Sequence, residues 1–161
     1  MRGIPFFATL VAIESGGEVV AGMASAPALK TRWHAARGAG AFRDGQPIRV
    51  SGVRELRHAL LLHGNLGPGE PAPPPGFAAL ARQVERTRGY GDFYQHVLVA
   101  EGAAEIGVDP ETQPWDVAAL QVIVEEAGGR ATGLNGGSPM SSGSLITSNG
   151  TLHPLALEAL R

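Results

Sequence analysis

The residues with the types and spacing to do chemistry lie in the second half of the chain. Asp109 and Asp116 bracket the segment ETQPW, with one carboxylate closing a strand-like stretch and the other opening a helical one. Strand ends and helix N-termini converge at clefts, and a helix N-terminus favours anions. The plain reading of Asp116 is an N-cap that accepts a backbone N–H two or three residues on, with metal ligation as the alternative. Asp109-Pro110 reads equally as a turn, RGYGD (88–92) as a connection between helices, and Glu125-Glu126 as a solvated face near a helix end. Other chemistries are missing. There is no GxxxxGK[ST] phosphate loop, no HExxH and no GxSxG elbow. His34, His58, His63, His96 and His153 show no metal-ligand spacing and read as isolated surface or core imidazoles. Ser138, Ser141, Ser142 and Ser144 fall in a glycine-rich stretch that reads as a loop. The absence of cysteine excludes thiol catalysis, cysteine-based zinc sites and disulfides.

The elements that must position these residues follow from pattern. At 161 residues the chain has room for one ordinary domain or two small ones, with 43% apolar and 17% charged residues to build a core. A net charge of -2 gives no electrostatic case for nucleic acid or an anionic membrane as partner. No apolar run approaches the roughly 20 residues of a membrane span, and a cytoplasmic setting is expected. Residues 6–13 predict a largely buried strand, with a turn at Ser15-Gly16-Gly17 and a return strand over 18–25. Further short strands are expected at 31–36, 41–50 (with Asp44-Gly45 as a turn) and 58–64, making an antiparallel meander of about five strands. Residues 64–76, dense in Gly and Pro, predict a connection. Helical spacing then takes over at 77–87 and 93–101, and a short strand follows at 103–110. A buried helix is expected at 115–129, closed by Gly128-Gly129. Short strands at 130–134 and 144–148 and a helix over 154–160 complete the pattern. Sheet and helix in layers, an α+β arrangement, is the fold class expected, not a doubly wound parallel sheet.

PWDVAALQVIVEEAGG resembles the C-terminal signature of the inositol monophosphatase-like family of magnesium-dependent phosphatases, W-D-x-A followed by a helix ending E-A-G-G. The upstream run RGYGDFYQHVLVAEGAAEIGVDPETQPWD is similar to the matching family segment, and its R-x-[aromatic]-G-D-[aromatic] start resembles the histidinol-phosphate phosphatase branch. IPFFATLVAI, GEVVAGMASAP and RWHAARGAGAF resemble the family's central region, so the likeness spans essentially the whole chain.

This resemblance implies the layered αβαβα sandwich of that family, N-terminally incomplete. Residues 1–63 would belong to the first lobe, 64–76 to the connection and 77–161 to the C-terminal lobe. It implies that Asp116 ligates Mg²⁺ and that Asp109 contacts a substrate hydroxyl or amine. Arg88 takes a basic position near the substrate, and Gly91-Asp92 the segment that separates the substrate branches. The implied activity is Mg²⁺-dependent hydrolysis of a small phosphomonoester, histidinol phosphate in histidine biosynthesis. An inositol-monophosphate or related sugar-phosphate phosphatase is the alternative within the class. Outside it stands a non-catalytic remnant or interaction module, with a homodimer open as the assembly. The family's G-x-E-E and D-P-x-D-G-T motifs do not occur in the sequence, and one aspartate cannot assemble a two-metal site. The chain by itself is therefore expected to be inactive, with exposed edges and apolar faces on its first sheet. A start assigned at an internal codon, a truncated gene or a second chain supplying the rest would each account for the missing motifs.

Overall fold

The computed structural model describes residues 3–64 and 72–161. Two five-stranded sheets and the helices between and behind them make the α+β layered arrangement expected. The first sheet is an antiparallel meander in sequence order: β1 (Thr9–Ser15), β2 (Glu18–Ala26), β3 (Thr31–Ala36), β4 (Gly40–Arg43) and β5 (Gln46–Ile48). Gly16 and Gly17 both take positive φ, 63° and 83°, and so turn β1 back into β2 without a Cβ penalty. The second sheet holds β6 (Leu60–His63), β7 (Arg86–Gly89), β8 (Ile106–Asp109), β9 (Arg130–Thr132) and β10 (Leu145–Ser148), in the order β7-β6-β8-β10-β9. Within it β6 runs parallel to both β7 and β8, while β10 is antiparallel to its neighbours β8 and β9.

Five helices accompany the sheets: α1 (Phe77–Gln83), α2 (Asp92–Ala100), α3 (Pro114–Glu126), α4 (Pro139–Ser142) and α5 (His153–Leu160). Strand alternation decides which helix covers which face. Leu61, Ile106 and Ile146 meet Leu80 of α1 and Leu160 of α5 in one apolar cluster. Leu62 points the other way and meets Val99 of α2. On the first sheet Trp33, Ala24 and Ala35 pack with Phe93 and Val97 of α2 and Leu120, Ile123 and Val124 of α3. The layers therefore run sheet, α2 with α3, sheet, α1 with α5. Helix α3 lies so close to β2 that a Cβ at Gly22 would stand 2.6 Å from Val122 and 2.7 Å from the Ala119 backbone. None of the described helices is long and apolar enough to cross a membrane.

Several expectations are corrected. The first strand begins at Thr9, not residue 6, and it is not largely buried. It is an edge strand paired only with β2, and Val11 and Ile13 are 46% and 59% exposed. The stretch 41–50 is two strands, turning at Asp44-Gly45, both with positive φ. The strand at 60–63 leaves the meander and sits inside the second sheet, which is why Leu61 and Leu62 are both fully buried. The helix from Phe77 stops at Gln83, because Val84 is extended, and Arg86–Gly89 becomes an edge strand beside β6. A short helix, α4, replaces part of the expected serine-rich loop. Glu125 and Glu126 are not a solvated face. Glu126 accepts the Gly38 and Gly40 backbone N–H groups at 3.1 and 3.0 Å, and Glu125 pairs with Arg37. These contacts and Glu101, which accepts from Trp33 Nε1 and Arg43 at 3.0 Å each, fasten the first sheet to the ends of α3 and α2. Part of the Gly/Pro-rich connection, residues 65–71, lies outside the described residues.

His153 opens α5 with its ring wholly buried between two hydroxyls. Nε2 lies 2.9 Å from Thr132 Oγ1 and Nδ1 2.9 Å from Ser148 Oγ. Burial first, and then the charge of Arg130, push its pKa down to about 4. The unfolded chain therefore binds a proton that the folded chain refuses as pH falls from 6.5, the ordinary value, toward 4. Stability from this group is complete above that window and is lost through it. Urea unfolding at pH 7.5 and 4.5 should show the chain losing about 2–3 kcal/mol more than a His153→Gln variant. Equal losses would contradict a neutral, buried His153.

Candidate active site

Three parallel strands end at one place. β6 runs out into Gly64, β7 into Tyr90-Gly91-Asp92, and β8 closes on Asp109. Helices α2 and α3 begin beside those ends. A cleft outside the carboxyl ends of parallel strands is where open α/β sheets bind ligands, because strand ends and helix starts expose uncommitted polar groups there. The cleft has a volume of about 670 Å³ and is walled on its far side by Phe6, Phe7 and Leu10 from the start of the first sheet. Phe6 is itself fixed by stacking on Tyr94, ring centroids 4.8 Å apart, with Tyr90 edge-on at 6.1 Å.

Charge is one-sided in this cleft. Asp92, Asp109, Glu111 and Asp116 line it together with His96, and no Lys or Arg does among the described residues. Four of the five residues that the sequence singled out, Gly91, Asp92, Asp109 and Asp116, are thus brought together. Arg88 is not. It is exposed on the edge strand β7, its guanidinium donates to the Thr87 carbonyl at 2.8 Å, and it does not line the cleft.

Local backbone geometry presents each carboxylate. Gly91 adopts φ 71° and ψ 175°, a region open essentially to glycine, and Asp92 follows at φ 50°. Two consecutive positive φ values turn the chain sharply from β7 into α2, and Asp92 lands in the first turn of that helix, where a carboxylate is favoured. Asp116 does not cap α3 as an N-cap. That position is Gln113, and Asp116 is the third helical residue, whose Oδ2 accepts the Gln113 backbone N–H at 3.0 Å. This is the reaching-back half of a capping box. Asp116 remains exposed.

Asp109 has the most elaborate surroundings. Its Oδ2 lies 3.0 Å from Nε2 of His96, and its side chain is 17% exposed. Oδ1 lies against Gly64, where a Cβ would stand 2.6 Å from it. Behind, the other ring nitrogen of His96 meets Thr147 Oγ1 at 2.8 Å. Gly107, directly opposite Thr147 on β8, leaves room for both, since a Cβ there would stand 2.9 Å from Thr147 Oγ1 and 3.2 Å from His96 Nδ1. His96, read from the sequence as an isolated imidazole, is instead bonded at both ring nitrogens, and Thr147, Glu111 and the two glycines were not singled out at all. One signal pointed at His96: it is four residues after Asp92 and so shares its face of α2.

Magnesium does not fit these residues by themselves. No group of three or more His, Cys, Asp or Glu side chains among the described residues can hold a metal ion. Asp116 offers one exposed carboxylate, already engaged at one oxygen, whereas magnesium demands near-octahedral oxygen coordination.

Comparison with known proteins shows the family and the fold. All of residues 1–161 match the family model described as inositol monophosphatase family. A histidinol-phosphatase from Mycobacterium tuberculosis is 45% identical over 99% of this chain and 64% of its own length. One from Streptomyces coelicolor is 42% identical over 95% of this chain and 61% of its own. The chain thus spans about three-fifths of the curated relatives it matches. Among solved structures, the Thermotoga maritima IMPase superposes with a TM-score of 0.89 at 30% identity, over 99% of this chain and 62% of that one. The extragenic suppressor protein suhB from Bartonella henselae gives 0.90 at 31%, over 99% and 66%.

Gly107 provides the sharpest test of the packing. Gly107→Ala should cost about 1–3 kcal/mol in urea unfolding, the range for overfilling a tight core site. Gly52→Ala, where the added methyl meets nothing within 4 Å, is the matched control and should cost far less. Equal costs would show that the His96–Thr147 contact is loose.

Proposed function

The chain belongs to the inositol monophosphatase family, and from that premise we propose that it forms the substrate-selecting part of a phosphomonoester hydrolase acting on histidinol phosphate. The observation that carries this reading is the cleft's charge. Four carboxylates with no Lys or Arg among the described lining residues suit a ligand that brings positive charge of its own. Histidinol does so through its amine and imidazole. A carboxylate–ammonium hydrogen bond is charge-assisted at both ends and is roughly twice as strong as a neutral one. A neutral polyol such as inositol could also donate hydroxyls to Asp92 and Asp109. Its neutral hydroxyls would make weaker hydrogen bonds to those carboxylates than a charged ammonium does, a poorer use of the same groups.

The chain's own residues then have separable roles. Asp92 and Asp109 hold the cationic part of the ligand, Phe6 and Leu10 close the cleft against water, and Asp116 contributes one carboxylate toward magnesium. Since the described residues do not complete a magnesium site, this chain by itself turns over histidinol phosphate negligibly. Arg88, outside the cleft, is left without a substrate role in this reading. A place in histidine biosynthesis follows from the family resemblance, and a cytoplasmic setting and a homodimeric assembly, expected on other grounds, belong to the same proposal.

Two measurements test it. Phosphate release from histidinol phosphate with millimolar Mg²⁺ should stay at background for the purified chain, and robust metal-dependent release would overturn the claim of incompleteness. Calorimetric titration with L-histidinol at low ionic strength should show binding that falls by about tenfold or more in Asp92→Asn, from loss of one charged hydrogen bond. An unchanged affinity would remove Asp92 from recognition and favour an inositol-type ligand.

A further inference from the structure

His96 is 1% exposed, yet both of its ring nitrogens are engaged by polar side chains. Chemistry fixes how. An ionised carboxylate only accepts hydrogen bonds, so the 3.0 Å contact to Asp109 Oδ2 requires the proton on Nε2. Nδ1 faces the Thr147 hydroxyl at 2.8 Å, and a hydroxyl can donate to a bare ring nitrogen. Thr147 is fully buried on β10 and cannot turn to water instead. The Gln95 amide also approaches Nε2, at 3.3 Å, but this longer neutral contact is outweighed by the charged one to Asp109. Two bare glycine positions, Gly107 behind the ring and Gly64 beside Asp109 Oδ1, clear space for the series Thr147–His96–Asp109. A polar chain of this kind inside a core is costly unless every member is satisfied, and here it ends at the cleft, not in the core.

We infer that His96 is a positioning residue for ligand recognition: Thr147 sets its protonation, its Nε2–H holds one oxygen of Asp109, and the other oxygen is thereby presented to the ammonium of a cationic amino alcohol. The identity of that ligand rests on the function proposed above, whereas the arrangement of the three side chains does not. Removing the ring takes away the side-chain partner that holds Asp109 among the described residues, beside a residue without a side chain.

The test uses the full chain, with L-histidinol as the probe, and three variants. Long-range ¹H–¹⁵N NMR of the histidine rings should show His96 protonated at Nε2 at pH 7; a ring bare at Nε2 overturns the inference. By calorimetry, His96→Leu should weaken L-histidinol binding by roughly 10- to 100-fold, the span for a lost charged hydrogen bond. His96→Gln, which keeps an N–H near the position of Nε2, should stay within about threefold of the parent chain, a rescue that a packing role would not produce. Leu binding as tightly as the parent, or Gln failing as badly as Leu in a folded protein, overturns the proposal. Should His96→Leu not fold, Thr147→Val decides. It should lower affinity by about three- to tenfold by freeing the ring's protonation, and no change overturns the inference. If the parent chain itself fails to bind L-histidinol, the substrate reading falls separately. The Asp109 ¹³C carboxyl resonance then decides the positioning claim: it should move in His96→Leu and return in His96→Gln, and an unmoved resonance overturns it.

Discussion

The cleft depends on how closely helix α2 approaches the second sheet at Gly107. Were a side chain present there, its Cβ would stand 2.9 Å from Thr147 Oγ1 and 3.2 Å from His96 Nδ1, so the hydroxyl and the ring that α2 carries would have to give way. The first turn of the same helix holds the Gly91-Asp92 corner that delivers one carboxylate to the cleft. The same approach holds Asp109 through His96. Glycines at 22 and 107 therefore act as spacers that bring helix and strand within contact distance, and Gly64 does the same between the ends of β6 and β8. Interiors are close-packed, so an added methyl at such a point is transmitted and not absorbed.

Around that contact the rest of the molecule is arranged to hold two helix N-termini at three parallel strand ends. Buried aliphatic residues on both faces of β6 and β8 make the second sheet rigid, and the helix-end carboxylates Glu101 and Glu126 tie the first sheet to α2 and α3. The outcome is a partly desolvated cavity whose charge is negative, in which a ligand's positive charge is worth more than it would be in open water. That negative charge is also what sets recognition apart from turnover here. The carboxylates are spread along the walls and are not gathered into a metal-holding group among the described residues. Meanwhile the outer face of the first sheet carries exposed Val11 and Ile13 at its edge, with His34 stacked on Phe42 further across.

Much of this was legible in the sequence because it is written in local pattern. The Ser15–Gly17 and Asp44-Gly45 turns, the buried helix ending near Gly128-Gly129 and the Asp109–Asp116 pair depend on neighbours in the chain. What failed depended on partners far away. Leu60–His63 looks the same as a meander strand until its neighbours β7 and β8 are known. Residues 6–13 have the composition of a buried strand, yet Val11 and Ile13 are exposed because they lie on the outer face at the edge of the first sheet. Glu126 gained its role from Gly38 and Gly40, 88 and 86 positions away, and His96 from Thr147, 51 away. Arg88 was placed near the substrate by resemblance alone, whereas the strand it occupies turns it to solvent.

The central claim is that the cleft selects a ligand by positive charge. The direct measurement is paired calorimetric titration of the chain with L-histidinol and with myo-inositol, at about 20 mM and about 200 mM salt. Screening acts on charge recognition and hardly at all on neutral hydrogen bonding. Histidinol should bind at least about tenfold more tightly than inositol at low salt, and that advantage should shrink at high salt. Inositol binding as tightly as histidinol, or a histidinol affinity indifferent to salt, would contradict the account.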